Sequence, residues 1–388
     1  MNYAVMSGAV RTAGRSRPLW DPWLLGSTFV LLALGVIMVY SASVAYADRE
    51  MQNSEYFLLR HMSYTLLGLL LMAFVMRTRV RWWEKAGPLL LLIGIVSLVV
   101  VLVPGVSAHV NGSSRWIKLG IFNVQPSEFM KLFMVVYVAG YLVRKQETLK
   151  NFTQGIVMVS LVVAVIGTLL LMEPDMGTLV VITVTVFAML FLGGVRFWHF
   201  MMVLGAGIGG MVLLTIISPY RMGRVTSFLD PWADPFKSGF QLVQALIAFG
   251  RGEWFGVGLG ASVQKLFYLP AAHTDFVFAV MAEELGLVAV LGMMVLFGIV
   301  ILRAFAIARQ AEAAGQIYGA RLAQGLGLLL GSQAMINMGV NMGLLPTKGL
   351  TLPFVSYGGS SMLTSCIAVG VLLLVGREAR AAGWGRAA

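Results

Sequence analysis

The sequence predicts an all-α polytopic membrane protein with about ten transmembrane helices and one long outward-facing loop. Hydrophobic residues other than glycine make up 59% of the chain and charged residues only 12%, whereas soluble domains carry about 25% charged residues. The hydrophobic residues fall into segments long enough to cross a bilayer, and the basic residues gather at the ends of those segments. The net charge of +11 is therefore interpreted as a topology signal, and nucleic-acid binding is not expected.

Each predicted span is a predominantly apolar segment of about 17–25 residues, the length that crosses a bilayer as a helix. The segments lie near 23–43, 56–76, 87–104, 127–143, 155–172, 177–195, 199–217, 276–302, 321–342 and 361–376. An even number of spans places both termini on the same side of the membrane. The chain is accordingly divided into an N-terminal tail (1–22), a transmembrane domain (23–377) and a C-terminal tail (378–388).

The distribution of Lys and Arg between the short loops predicts the orientation. Most of these residues lie in the loops on the side of the termini, so both tails are predicted to be cytoplasmic. The long polar segment 218–275 then faces outward. Within it, Gly239–Phe249 shows helical apolar spacing, which indicates a helix lying in the membrane interface.

Ionisable residues at the start of an apolar helix form the first candidate site. His273 and Asp275 precede the segment, and Glu283 and Glu284 follow inside it. Asp275 and Glu283 are eight residues apart and fall on roughly one helical face, where carboxylates in a membrane are expected to line a polar cavity. The alternative is that Asp275 serves only as the N-cap of the helix.

A second candidate site precedes the last span. Lys348 lies between helix-breaking Pro346 and Gly349, and Ser356 and Ser360 belong to a Gly/Ser cluster. Hydroxyl groups and backbone N–H groups at a helix start suit the binding of an anion. The alternative for Lys348 is an interfacial lysine that extends toward the lipid headgroups.

Two further polar groups interrupt the apolar pattern. Glu128 and Lys131 form an i,i+3 pair inside the fourth span, where they either line the site or hold its walls. Asp175, between two short spans, is expected to cap a helix. Cys366 is the only cysteine, which excludes disulfides within the chain, and the four histidines show no metal-ligand spacing.

These polar stretches together resemble the SEDS (shape, elongation, division, sporulation) family, and most closely its division branch. The resemblance runs from about Asp21 to Arg377. It is carried, in order, by Ser114-Arg-Trp-Ile, Gln125-Pro-Ser-Glu-Phe, Glu173-Pro-Asp-Met-Gly, the stretch from Arg224 through Asp230-Pro-Trp-Ala-Asp-Pro, the stretch from Tyr268 through Glu284, and the stretch from Pro346 through Ser361. Ala271 departs from the pattern, because many relatives have Glu at this position.

The resemblance implies a peptidoglycan glycosyltransferase that polymerises lipid II at the division septum. It implies as partners a septal class B penicillin-binding protein of the FtsI type and regulators of the FtsQ, FtsL and FtsB type. The family's catalytic aspartate falls on Asp275, which would be the general base. Substrate-binding candidates are Lys348, Lys265, Arg221, Arg224, His273, Ser356 and Ser360. The basic residues would stabilise the departing pyrophosphate, a task that a divalent cation (Mg²⁺ or Mn²⁺) would also serve.

Two functions without bond chemistry remain as alternatives to catalysis. A lipid II flippase would also have many spans, a polar cavity and intramembrane carboxylates, and a scaffold would only recruit its transpeptidase. A flippase needs polar groups that are accessible from both sides in turn. The predicted charged clusters lie on the outer side alone, which favours the enzyme.

Overall fold

The fold is a bundle of long helices with one small sheet. The computed structural model describes residues 20–104, 107–110, 113–119, 122–217, 222–223, 228–236 and 239–385. The helices are α1 (Pro22–Met51), α2 (Tyr56–Val75), α3 (Val80–Leu102), α4 (Pro126–Arg144), α5 (Met158–Met172), α6 (Met176–Leu192), α7 (Phe197–Ile217), α8 (Phe240–Gly252), α9 (Val277–Ala313), α10 (Ile317–Asn341) and α11 (Gly359–Gly385).

The helices confirm the predicted class of polytopic membrane protein. Each of the predicted spans coincides with one long helix, and the remaining helix, α8, lies in the segment that had helical apolar spacing. Within the described residues, seven helices are long and apolar enough to cross a membrane. Of the other predicted spans, α6 is shorter, with 17 residues, and α10 is more polar. Because many apolar side chains point outward from the bundle, the surface is suited to lipid.

Several helices extend beyond the apolar segments from which they were predicted. α1 continues to Met51, α9 to Ala313 and α11 to Gly385. Helix α11 therefore continues into the predicted C-terminal tail. Hydropathy marks only the part of a helix that lies in hydrocarbon, so polar turns beyond the bilayer are missed. A π-helical stretch, Thr153–Val157, precedes α5.

Three short strands between α3 and α4 were not predicted. Strands β1 (Ser107–Val110), β2 (Ser113–Leu119) and β3 (Phe122–Val124) pair antiparallel in that order. The side chain of Arg115 in β2 donates hydrogen bonds to the backbone carbonyls of Glu173 and Pro174. This contact joins the sheet to the turn between α5 and α6.

The helices that carry the site residues form the middle of the bundle. α10 packs extensively against α9 and α4, and α11 against α2. The membrane-crossing part of α11 is almost entirely buried, with Val371 to Val375 inaccessible to solvent. A helix that is apolar all round and enclosed by others belongs to the core of a membrane bundle. The loops at the start of α9 and α11 are therefore mounted on rigid elements.

Helix α9 is broken at Gly286, which has φ 75° and ψ −173°. A side chain would collide there with the backbone of 254–256, because a Cβ would lie 2.4 Å from the Gly256 nitrogen. The backbone carbonyl oxygens of Glu283 and Glu284 accept hydrogen bonds from Val257 N–H and Gly258 N–H at 2.9 and 3.0 Å. The segment after α8 thus satisfies the backbone groups that the break releases, as a membrane-embedded helix requires.

Candidate active site

One cavity of about 1480 Å³ collects most of the polar residues that the sequence singled out. Its walls come from α1, α2, α4, α7, the sheet, and the two loops that precede α9 and α11. The candidate residues that line it are Asp275, Lys348, Lys265, His273, Ser360 and Glu128. The structure therefore brings together residues that are more than 200 positions apart in the sequence.

Asp275 lies in the loop just before α9, but it is not the N-cap of that helix. The N-cap residue is Phe276, and its side chain makes no capping hydrogen bond. Instead Asn341 Oδ1 accepts a hydrogen bond from Ala279 N–H at 3.2 Å. The first turn of α9 thus obtains a side-chain acceptor from α10, and the geometry does not support the N-cap interpretation of Asp275.

The backbone carbonyl of Asp275 is held by two amides from α10. Asn337 Nδ2 and Asn341 Nδ2 both donate to this oxygen at 3.0 Å. The Asp275 carboxylate lies against Gly349, where a Cβ would approach Oδ2 to 3.2 Å. The loop that carries Lys348 is therefore in contact with the proposed base, and glycine at 349 permits the close approach.

Lys348 reaches from its loop toward the start of α6. Its ammonium nitrogen lies 3.2 Å from the thioether sulfur of Met176, which is a weak acceptor. Asp175 caps α6 as expected, because its side chain accepts from Thr178 N–H at 3.2 Å. Lys348 is half-buried and lines the cavity, so its charge lies in a partly desolvated space.

Lys265 lines the same cavity, but protein acceptors surround its ammonium group. It donates to Glu284 Oε1 at 2.7 Å, to Ser41 Oγ at 3.0 Å and to the Gly260 carbonyl at 2.7 Å. Its side chain is 5% exposed. An ammonium group has three N–H donors, and these three contacts account for all of them. In this geometry Lys265 fastens the segment before Asp275 to α1 and α9.

Glu283 holds the same segment from its other side and does not line the cavity. It is fully buried and accepts from Arg251 Nη1 at 3.2 Å, from Ser262 Oγ, and from Val263 N–H at 3.1 Å. A buried carboxylate is stable only when it is paired and hydrogen-bonded in this way. In the structure Glu283 and Glu284 therefore stabilise the loop before α9.

His273 contacts an aromatic cluster at the cavity wall. Its ring lies 4.6 Å from Phe57, 5.5 Å from Tyr46 and 5.8 Å from Tyr357, measured between ring centroids. Burial lowers the pKa of His273 to about 4, so the imidazole is neutral near pH 7. It can offer a hydrogen bond but adds no positive charge.

The remaining candidates differ in where the structure places them. Ser360 lines the cavity and accepts from Gln125 N–H at 2.8 Å, whereas Ser356 is buried and closes its own loop by accepting from Leu352 N–H at 2.8 Å. Arg221 and Arg224 lie outside the described residues.

The Glu128–Lys131 pair predicted inside the fourth span is present in α4. Lys131 Nζ lies 2.8 Å from Glu128 Oε1 and 2.7 Å from Gln333 Oε1, and the pair is buried. Glu128 lines the cavity, whereas Lys131 lies behind it. The pair thus joins α4 to α10 at one wall of the site.

Sequence reasoning missed the polar residues on α2 and α10 that complete the site. Arg60 lines the cavity, and Asn337 and Asn341 hold the Asp275 carbonyl. A signal for the two asparagines was present, because polar residues four positions apart on an apolar span share one face. Among the described residues, no three His, Cys, Asp or Glu side chains are grouped closely enough to hold a metal ion.

Comparison with known proteins decides the family. The sequence model of the FtsW/RodA/SpoVE family, described as cell cycle protein, matches residues 22–381. This chain belongs to that family. The match confirms the resemblance drawn from the motifs, since it covers nearly the whole membrane domain.

Curated relatives of the FtsW/RodA/SpoVE family match over almost their full length. A protein of Nitrosococcus halophilus named probable peptidoglycan glycosyltransferase FtsW is 53% identical over 95% of this chain and 95% of its own. One from Coxiella burnetii with the same name is 50% identical over 92% of this chain and 96% of its own.

Solved structures of the family share the fold. A chain from a study of the coordination of polymerization and crosslinking by a peptidoglycan synthase complex has a TM-score of 0.76 and 30% identity, covering 93% of this chain and 98% of that one. The rod shape determining protein RodA of Thermus thermophilus has a TM-score of 0.67 and 28% identity, covering 92% and 97%.

Proposed function

We propose that this protein is a peptidoglycan glycosyltransferase that polymerises lipid II at the division septum. The observation that carries the proposal is the contact between the loops of Asp275 and Lys348 in a single large cavity. The cavity thus combines a carboxylate with a cation, as transfer of a sugar from a pyrophosphate requires. The names of the relatives, which share about half of their residues with this chain, support the same activity.

The proposed reaction is an inverting displacement at the anomeric carbon of the donor. Asp275 takes the proton from the attacking hydroxyl of the acceptor sugar as the new carbon–oxygen bond forms. The bond to the pyrophosphate breaks, and its electron pair leaves with undecaprenyl pyrophosphate. Lys348 stabilises the negative charge that develops on this leaving group. Arg221 and Arg224 are proposed to add to the same positive potential.

His273 and the cavity wall are proposed to orient the sugars. Because its pKa is lowered to about 4 by burial, His273 acts as a neutral hydrogen-bonding group. Burial also raises the pKa of Tyr357 to about 12, so this phenol keeps its proton. Ser360 and Glu128 supply further polar atoms along the cavity. Hydrogen-bond donors and acceptors of this kind suit hydroxyl and acetamido groups.

The partners are proposed from the same family membership. A septal class B penicillin-binding protein of the FtsI type would cross-link the strands that this protein makes. Regulators of the FtsQ, FtsL and FtsB type would act on the pair. The related structure that comes from a complex coordinating polymerization with crosslinking supports a partner of the first kind.

Polymerisation of lipid II in vitro tests the proposal. The purified protein, with and without its septal transpeptidase, is mixed with lipid II, and the glycan products are resolved by length. We expect strands of many disaccharides that form even when a β-lactam blocks cross-linking. Translocation of lipid II across vesicles without any polymer would favour a flippase, and neither activity would favour a scaffold.

The orientation of the chain leads to a labelling prediction. The α1–α2 connection is proposed to face outward and the α4–α5 connection the cytoplasm. Asn53 and Gln146 are exposed residues in these two connections. In a Cys366→Ser background, Asn53→Cys should react with a membrane-impermeant thiol reagent added to spheroplasts, and Gln146→Cys should react only after lysis. The reverse pattern would contradict the outward-facing site.

A further inference from the structure

We propose that Asn337 is a positioning residue that fixes Asp275 and Lys348 relative to each other. The proposal rests on the proposed glycosyltransferase function and adds to it a residue that touches neither sugar nor pyrophosphate. Asn337 lies in α10 and is 2% exposed. It is absent from the residues that line the cavity, so its effect on the reaction passes through the two loops that it joins.

The amide of Asn337 links the two loops directly. Its Nδ2 donates one hydrogen bond to the Asp275 carbonyl at 3.0 Å and another to the Leu350 carbonyl at 2.5 Å. Leu350 follows Lys348 by two residues. An asparagine amide has two N–H donors, so both are engaged by one carbonyl from each loop. Among the described residues, no other side chain is seen to donate hydrogen bonds to both of these carbonyls.

Neighbouring contacts make this link the centre of a small rigid unit. Asn341 donates to the Asp275 carbonyl and, through Oδ1, accepts from Ala279 N–H in the first turn of α9. The backbone of Tyr357 donates to the His273 carbonyl at 3.0 Å. The loops before α9 and α11 are thus both tied to α10, and the carboxylate of Asp275 rests against Gly349.

The link matters because transfer between sugars depends on the placement of the base to within a fraction of an ångström. A displacement of about 1 Å can cost about 10²-fold in rate. Asp275 lies within a tight turn in which Thr274 N–H and Phe276 N–H both donate hydrogen bonds to the Ala271 carbonyl. Without the amide of Asn337, the Asp275 carbonyl would keep only the hydrogen bond from Asn341 and would lose its direct link to the loop of Lys348. The carboxylate and the ammonium group would then shift relative to each other.

Two substitutions at this position test the proposal by kinetics. Asn337→Leu removes both donors at similar volume, and Asn337→Gln keeps them but displaces the amide by one methylene. We expect kcat for lipid II polymerisation to fall about 10²-fold in the Leu variant and less in the Gln variant. KM should change by less than roughly threefold, because no contact to substrate is lost. If the Leu variant does not fold, the Gln variant decides.

The matched control is Ser332→Ala on the same helix. Ser332 Oγ lies 3.1 Å from Thr185 Oγ1 of α6, so this change removes a hydrogen bond of α10 away from both loops. Its thermal unfolding midpoint in detergent measures how far the loss of this hydrogen bond weakens the protein. Its kcat then shows what such a general weakening does to the rate. We expect its kcat to stay near that of the parent protein.

A distance measurement tests the positioning without any reaction. Spin labels are placed at Tyr268 and Thr347, one in each loop, in a Cys366→Ser background. We expect a broader distance distribution with Asn337→Leu and an unchanged one with Ser332→Ala. A parent protein that makes no glycan would refute the proposed function while this measurement still decides the positioning. An unchanged distribution, or a fall in kcat matched by Ser332→Ala, would overturn the proposal.

Discussion

Asp275→Asn is expected to lower glycan synthesis by about 10²–10⁴-fold, the usual cost of losing a general base. The substitution keeps the size of the side chain and leaves the backbone carbonyl that Asn337 and Asn341 bind. The capping of α9 is also preserved, because its side-chain acceptor is Asn341. The variant should therefore fold and bind its partner like the parent protein. The measurement is the initial rate of lipid II polymerisation by the purified complex.

The control for this prediction is Asp48→Asn. Asp48 is an exposed carboxylate near the end of α1, and its loss changes the net charge by the same amount without touching the cavity. Its rate should equal that of the parent protein. Thermal unfolding of both variants in detergent would show whether stability has changed. Full polymerising activity in the folded Asp275→Asn complex would remove Asp275 from the mechanism.

Much of the fold is predictable because the bilayer imposes a simple rule on the sequence. A span must be long, apolar and hydrogen-bonded within itself, and the helices accordingly lie where the apolar segments lie. The cap of α6 by Asp175 was also predictable, since a short acidic side chain before an apolar run satisfies its own first turn. Both features depend on residues that are close together in the sequence.

The break in α9 depends instead on contacts between distant segments. Gly286 interrupts an apolar run in which a glycine has no visible consequence for hydropathy, and only the segment at 253–258 makes the interruption stable. The hydrogen bonding of Lys265 also depends on contacts between distant segments. Its charge is neutralised by Glu284 in α9 and solvated by Ser41 in α1, and neither partner can be identified from the spacing of residues.

The structure also changes which positive charges are available for the pyrophosphate. Lys265 has protein acceptors for its three donors, and His273 is neutral near pH 7 because burial lowers its pKa to about 4. Of the candidate cations in the described residues, Lys348 thus has the geometry best suited to the leaving group. Its side chain is half-buried and lines the cavity in which the leaving group would lie.

Lys348→Ala is accordingly expected to lower polymerisation by about 10²–10³-fold, the cost of removing one charge-stabilising group from a desolvated site. Lys348→Met, which keeps the length of the side chain without its charge, should lose nearly as much. Lys348→Arg keeps the charge and should lose less, although its planar guanidinium cannot reproduce the compact ammonium. Rates of glycan formation by the purified complex provide the comparison.

The contrast with Lys265→Met makes the result specific to the leaving group. Removing Lys265 leaves Glu284 as a buried carboxylate without its cation, a change that costs about 3–5 kcal/mol of stability, so its main effect should be a lower unfolding midpoint. Removing Lys348 should leave that midpoint nearly unchanged and lower the rate instead. If Lys348→Ala polymerises lipid II at the parent rate, Lys348 serves only as an interfacial anchor, and the positive charge at the pyrophosphate must come from arginine or from a divalent cation.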